Sequence, residues 1–246
     1  MADRDTQIAV ILGLAGCFTA GLGLGGMLGS RTAARNLLML PGRAPLRVRD
    51  RNVDPSVISI VTPVIGPWTA EDVLSQIERA PKSAVTLVLH TYGGAIGACV
   101  LIADAVRRLP RCTAVVPYMA HSGGTLIALS ASTIAMGGNA SLSAVDPIVR
   151  GHRARHIPND SKHAKLRARA HEYETAIHSY VRGLLDRHLD EHEVARALPV
   201  FMGQHAPHEW PVRRDEARAL GLPVIAAEKK WSTYVDGLRE EESSWP

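Results

Sequence analysis

Four apolar, β-branched runs separated by helix-forming stretches leave this chain few ways to fold. The runs are "SVISIVTPVI" (56–65), "AVTLVLHT" (84–91), "CTAVVPYMA" (112–120) and "STIAMGG" (132–138). Between them stand "AEDVLSQIERA" (70–80), "AIGACVLIADAVRRL" (95–109) and "TLIALSA" (125–131). Strands that are apolar almost throughout, rather than alternating, are covered on both faces, which predicts an α/β fold with a mostly parallel sheet between helices. Thr69 is the predicted cap of the first helix, whose acidic start (Glu71, Asp72) suits a helix N-terminus. Further on, a long helix is expected over Asp160–His188 and a short one over Glu191–Ala197 with Asp190 as cap. "RRDEARALGLPV" (213–224) reads as a helix stopped by Gly221, then a last extended piece.

Ligands of such sheets sit beyond the carboxyl ends of the strands. Two of those ends carry glycine pairs, Gly93-Gly94 in "HTYGG" and Gly123-Gly124 in "HSGG". Glycine at a strand-to-helix turn lets backbone N–H groups approach an incoming oxygen without a side chain in the way. Ser122 stands on the second turn, and serine there has two readings. It is a favoured N-cap residue; it is also what acyl transfer needs, a hydroxyl that attacks a carbonyl while the amides of Gly94 and Gly123 hold the oxyanion. Two such turns in adjacent βα units favour the second reading.

"LVLHTYGGAIGACVLIADAVRRL" (87–109), "VPYMAHSGGTLIALSASTIAMGGNASLSAVDPIV" (116–149) and "HEWPVRRDEARALGLPV" (208–224) together resemble the Clp/crotonase superfamily. The resemblance covers roughly residues 52–225 and is to the serine dehydrogenase proteinase branch, relatives of signal peptide peptidase A. It implies a Clp/crotonase-like core, a serine peptidase activity without metal or organic cofactor, and assembly into a homo-oligomer. It also implies that Ser122 is the nucleophile and that Gly94 and Gly123 form the oxyanion hole.

A serine hydroxyl needs a base. Clp peptidases use a histidine shortly after the serine, and by that match its place falls on or beside Val145. Signal peptide peptidase A and its relatives use a more distant lysine, for which this chain offers Lys162 and Lys165. Leu166, Ala170, Tyr173, Ile177, Val181 and Leu184 form one apolar helical face. Lys162 lies one turn before Leu166 on that face and Lys165 about 100° away, so the phase selects Lys162. His121, next to Ser122, is expected to point away from it and to line the cleft or pack. His156 and His163 are reserve bases, and Asp146 in "VDP" a residue that orients a loop or the base. "HLDEH" (188–192) matches a zinc pattern in letters, but no third ligand is evident and a solvated turn is the expectation.

From Ile8 to Leu28 the chain supplies 21 mostly apolar residues, enough to span a bilayer. Ala9, Gly13, Cys17, Gly21, Gly25 and Gly29 recur every four residues, a ridge of small side chains suited to helix–helix approach. Arginines 31, 35, 43, 47, 49 and 51 follow, so an uncleaved, single-pass anchor with a cytoplasmic body is expected. Three scattered cysteines make no disulfide framework, and neither zinc-finger spacing nor a strand of paired aromatics points to nucleic acid.

The expected organisation is therefore a membrane anchor (1–30), a basic linker (31–55), a peptidase domain (56–226) and a polar C-terminal tail (227–246). The expected function is hydrolysis of peptides or membrane proteins through an acyl-enzyme by a Ser122/Lys162 dyad. A crotonase-type acyl-CoA enzyme and a catalytically lapsed membrane scaffold are the alternatives on the same fold.

Overall fold

The computed structural model describes residues 54–81 and 83–243. The expected anchor at 1–30 and nearly all of the linker lie outside the described residues. Among the described residues no helix is long and apolar enough to cross a membrane.

The elements follow the predicted order. Strand β1 (Val57–Val61) leads to helix α1 (Pro67–Arg79), β2 (Val85–His90) to α2 (Ile96–Val106), and β3 (Cys112–Val116) and β4 (Met119–Ala120) to α3 (Gly123–Ser130). Then come β5 (Thr133–Met136), β6 (Ser141–Leu142), β7 (Ile148–Val149), β8 (His152–Arg153) and a single 3₁₀ turn, Ala154–His156. Helices α4 (Ala164–Leu185) and α5 (Glu191–Phe201), β9 (Val212–Arg213), α6 (Arg214–Ala219), β10 (Val224–Ala226) and α7 (Lys230–Ser243) complete the chain.

Five strands in the order β1-β2-β3-β5-β10 form one wholly parallel sheet. Ile58, Ile60, Leu87, Leu89, Ala114, Val116, Ile134 and Met136 are buried in it, as the continuous apolar runs require. Helix α2 buries eight of its eleven residues, and α3 is buried from Gly124 to Ser130. A small second sheet, β4-β6-β9, and the antiparallel pair β7-β8 lie outside the main one. These two-residue strands were not predicted, being too short to carry a periodicity.

Local chemistry moves three boundaries. The first helix starts at Pro67 with Gly66 as its N-cap residue, so Thr69 is not the cap; its Oγ1 accepts from the Gly66 N–H at 3.2 Å. Proline suits the first helical position because φ is preset and no N–H is lost. The run 112–120 breaks at Pro117, which cannot donate to a ladder, and its end pairs in the small sheet. Helix α4 begins only at Ala164, after a turn in which the Asp160 carboxylate accepts from both the N–H and Nδ1 of His163 (2.9 and 2.8 Å). Asp190 caps α5 as predicted, accepting from the Glu193 N–H at 2.8 Å, and Gly221, at φ +93°, follows α6.

The stretch expected as a tail carries α7, which packs on the sheet. Val235 is fully buried with Val88, Val115 and Ala135, a contribution of about 1.5–3 kcal/mol. The Tyr118 hydroxyl donates to Asp236 at 2.7 Å. The charged letters of 239–242 hid a helix whose apolar residues, Trp231, Tyr234 and Val235, come earlier.

Candidate functional site

The turn after β2 and the turn before α3 meet. Thr91 and Ala120 bridge the ends of β2 and β4, with the His121 N–H donating to Thr91 O at 3.0 Å. Gly93 takes φ +103°, where a Cβ would stand 2.7 Å from Ser122 Cβ and 2.8 Å from the Gly123 nitrogen. A Cβ on Gly123 would stand 3.5 Å from the Gly94 nitrogen. The glycines are thus what lets two chain reversals touch. The Gly93 N–H is engaged by Thr91 Oγ1 (3.0 Å) and the Gly124 N–H by His121 O (2.8 Å). The amides of Gly94 and Gly123 are the pair left beside Ser122.

Ser122 occupies the N-cap position of α3, yet its side chain makes no capping hydrogen bond. Its backbone sits at φ 50°, ψ −117°, whereas N-cap residues hold extended angles. A non-glycine residue there is strained by about 1–3 kcal/mol. A second strand-end serine supports it: the Ser122 N–H donates to Ser143 Oγ at 2.8 Å, and the Ser143 N–H to Thr125 Oγ1 at 2.9 Å. Only the alternation of Ser141 and Ser143 in "SLS" hinted at this role.

Ser122, Gly94, Gly123 and Asp146 line one cavity of about 80 Å³, with Ile96, Cys99, Leu126, Val145, Pro147, Ile148 and Ile177. Of the wall Val145–Ile148, the sequence marked Val145, the place where a Clp histidine would fall, and Asp146 in "VDP". Burial pushes the Cys99 thiol up to about 12, and likewise that of Cys112. Neither is therefore expected to react with iodoacetamide in the folded protein near ~pH 8; peptide mass mapping before and after denaturation checks this.

Asp146 is buried. Burial opposes its ionisation, but His208, through a 2.9 Å hydrogen bond from Nδ1 and its charge, and then Arg153 outweigh this and hold the carboxyl below the usual range. His121 does not line the cavity. Its Nε2 pairs with Ser141 Oγ at 2.8 Å and its ring packs edge-on to Tyr92; burial, then neighbouring His208, lower its pKa.

The lysine expectation needs revision in its geometry. Lys162 lies in the turn before α4, not on the helix, so the helical phase that selected it does not reach it. Lys162, Lys165 and His156 are exposed and line no part of this cavity, nor does His163, which is held by Asp160. An alcohol beside two converging amides can carry out acyl transfer once a base is supplied.

The model of the ClpP-like SDH-type serine proteinases matches residues 64–231. The chain belongs to this family. An uncharacterized protein of Methanocaldococcus jannaschii is 33% identical over 167 residues, covering 63% of this chain and 58% of that protein. A second from the same organism is 37% identical over 90 residues, 36% of this chain and 31% of that protein. The chain spans about half the length, or less, of the curated relatives it matches. Among solved structures, a serine-to-alanine mutant of the 1510-N membrane-bound stomatin-specific protease superposes with TM-score 0.51 at 21% identity, over 73% of this chain and 82% of that one. A lysine-to-alanine mutant of the same protease, in complex with a substrate peptide, gives 0.52 at 21% identity over 72% and 77%. A ClpP1 mutant from Listeria monocytogenes gives 0.52 at 16% identity over 72% and 95%. At these identities the likeness establishes the ClpP-like fold.

Proposed function

We propose that the chain is a membrane-anchored serine endopeptidase that cuts peptides or membrane proteins through an acyl-enzyme on Ser122. The observation that carries this reading is the strained, uncapped Ser122 at a cavity beside the amides of Gly94 and Gly123. Strain of this kind persists only where the surrounding structure over-determines it, and it clusters at active sites. The amides serve as oxyanion donors, and Lys162 as the general base. In the stomatin-specific protease a serine and a lysine are the mutated positions, separated by nearly the same stretch as Ser122 and Lys162.

Lys162 stands in the turns between the 3₁₀ turn and α4, outside the cavity. The reading therefore requires that segment to close when substrate or a second copy of the chain binds. A lysine accepts a proton only when neutral, a form that exclusion of water favours. Residues 1–30 serve as the anchor, 31–55 as the linker, and the catalytic domain is cytoplasmic and oligomeric. The scaffold alternative draws on one observation: among the described residues lining the cavity there is no lysine or histidine.

A fluorophosphonate probe on the detergent-extracted full chain tests the proposal. A single adduct mapped to Ser122, with peptide hydrolysis that the adduct blocks, is expected. An unlabelled native chain would overturn the peptidase reading in favour of the scaffold, and a specific thermal shift with acyl-CoA would favour the crotonase alternative. Gly94→Ala is expected to cut kcat/KM by about 10²–10³-fold, the cost of one oxyanion donor. The added Cβ meets Ile65 O at 2.0 Å and Ile65 N at 2.6 Å, both backbone, so the turn and its amide must shift. Steady-state hydrolysis of a fluorogenic peptide checks this.

A further inference from the structure

We infer that Arg153 is a positioning residue that holds the substrate-facing wall Val145–Ile148 against the end of helix α5; the inference rests on the peptidase reading above. Arg153 is buried on β8, the return strand of the short hairpin that begins at Ile148. Each of its three guanidinium nitrogens donates: Nε to Asp146 Oδ2 at 2.5 Å, Nη2 to Gly203 O at 2.5 Å and Nη1 to Ala206 O at 2.9 Å. Asp146 is held from the other side by His208 Nδ1 at 2.9 Å. Gly203 also accepts from Arg155 Nη2. The adjoining Val145 N–H donates to Phe201 O at 2.7 Å, which ties the same wall to the last turn of α5 by its backbone.

One side chain therefore joins three pieces of chain: the wall, the hairpin and the segment after α5. The packing around it is tight enough to dictate a glycine. At φ +59°, a Cβ on Gly203 would stand 2.2 Å from Arg153 Nη2 and 2.7 Å from Asp146 Oδ1. Arginine is suited to this place because its planar fork keeps several donors in fixed directions, which an ammonium does not. Neither Ser122 nor the amides beside it enter this network. Its effect on the reaction falls on how Val145, Pro147 and Ile148 meet a peptide, rather than on the attacking group.

The prediction is a rise in KM of about tenfold or more for an extended peptide in Arg153→Lys, with a much smaller change in kcat. A variant that merely unfolds a fraction of the enzyme lowers kcat and leaves KM alone, so the split separates positioning from bulk stability. Labelling of Ser122 by the fluorophosphonate in the same preparation reports whether the nucleophile is intact, which keeps failure of this inference distinct from failure of the peptidase reading. Arg153→Met combined with Asp146→Asn removes both charges and guards against a misfolded single variant, since replacing both members of a buried pair is tolerated far better than orphaning one. The double variant is expected to show the same raised KM. Wild-type KM in either folded variant would overturn the inference, as would a fall in kcat with unchanged KM in both.

Discussion

Ser122→Ala is expected to abolish fluorophosphonate labelling and to lower peptide hydrolysis by about 10⁴–10⁶-fold, since the nucleophile acts as a unit with its base and its loss removes the covalent path entirely. Mass spectrometry of the labelled chain and a fluorogenic peptide assay measure the two effects. Stability supplies a second, independent reading. Alanine is as ill suited to φ 50° as serine, and no capping hydrogen bond is lost, so the unfolding midpoint of Ser122→Ala should stay near that of the native chain. Ser122→Gly relieves the strain, and a gain of about 1 kcal/mol corresponds to roughly 2–4 °C for a domain of this size. A serine that were only a helix cap would behave otherwise: alanine would destabilise by about 0.5–2 kcal/mol and activity would survive.

The next largest effect is expected at the base. Lys162→Ala should lower kcat/KM by about 10²–10⁴-fold, the range for a positioned general base, whereas Lys165→Ala should remain near the native value. Both lysines are exposed at the start of the α4 region, so the pair also controls for loss of positive surface charge. Residual labelling by fluorophosphonate should fall with Lys162→Ala and not with Lys165→Ala. Equal loss in both variants, or in neither, would remove Lys162 from the dyad. Lys162→Arg sharpens the comparison, because arginine keeps the charge but does not give up its proton.

How far the site could be read depends on which residues are considered. Ser122, Gly94 and Gly123 were legible because glycine pairs after apolar runs have a local cause: the backbone must come close to something. Asp146 was visible as a residue near the site, but not its partners. Arg153, Gly203 and His208 are separated from it by 7 to 62 positions or meet it across a turn that no periodicity marks. The position of Lys162 shows the opposite fault. Its phase along an extended helix was well defined, but the helix begins at Ala164, after a turn tied by a hydrogen bond from His163 to Asp160, and so does not include it. Helix α7 was missed because its polar end outweighed three apolar residues whose use depends on an exposed sheet face being available.

The sequence by itself determined the parallel sheet, the alternation of strands and helices that builds it and the two glycine turns, since these follow from apolar runs and backbone freedom within a few residues of one another. Only the tertiary structure decided that the turns share a cavity, that Ser122 is strained rather than capping, and that an arginine and a helix from distant stretches brace the result. Close approach and burial are properties of pairs brought together by folding, and the chain's local preferences carry no term for them.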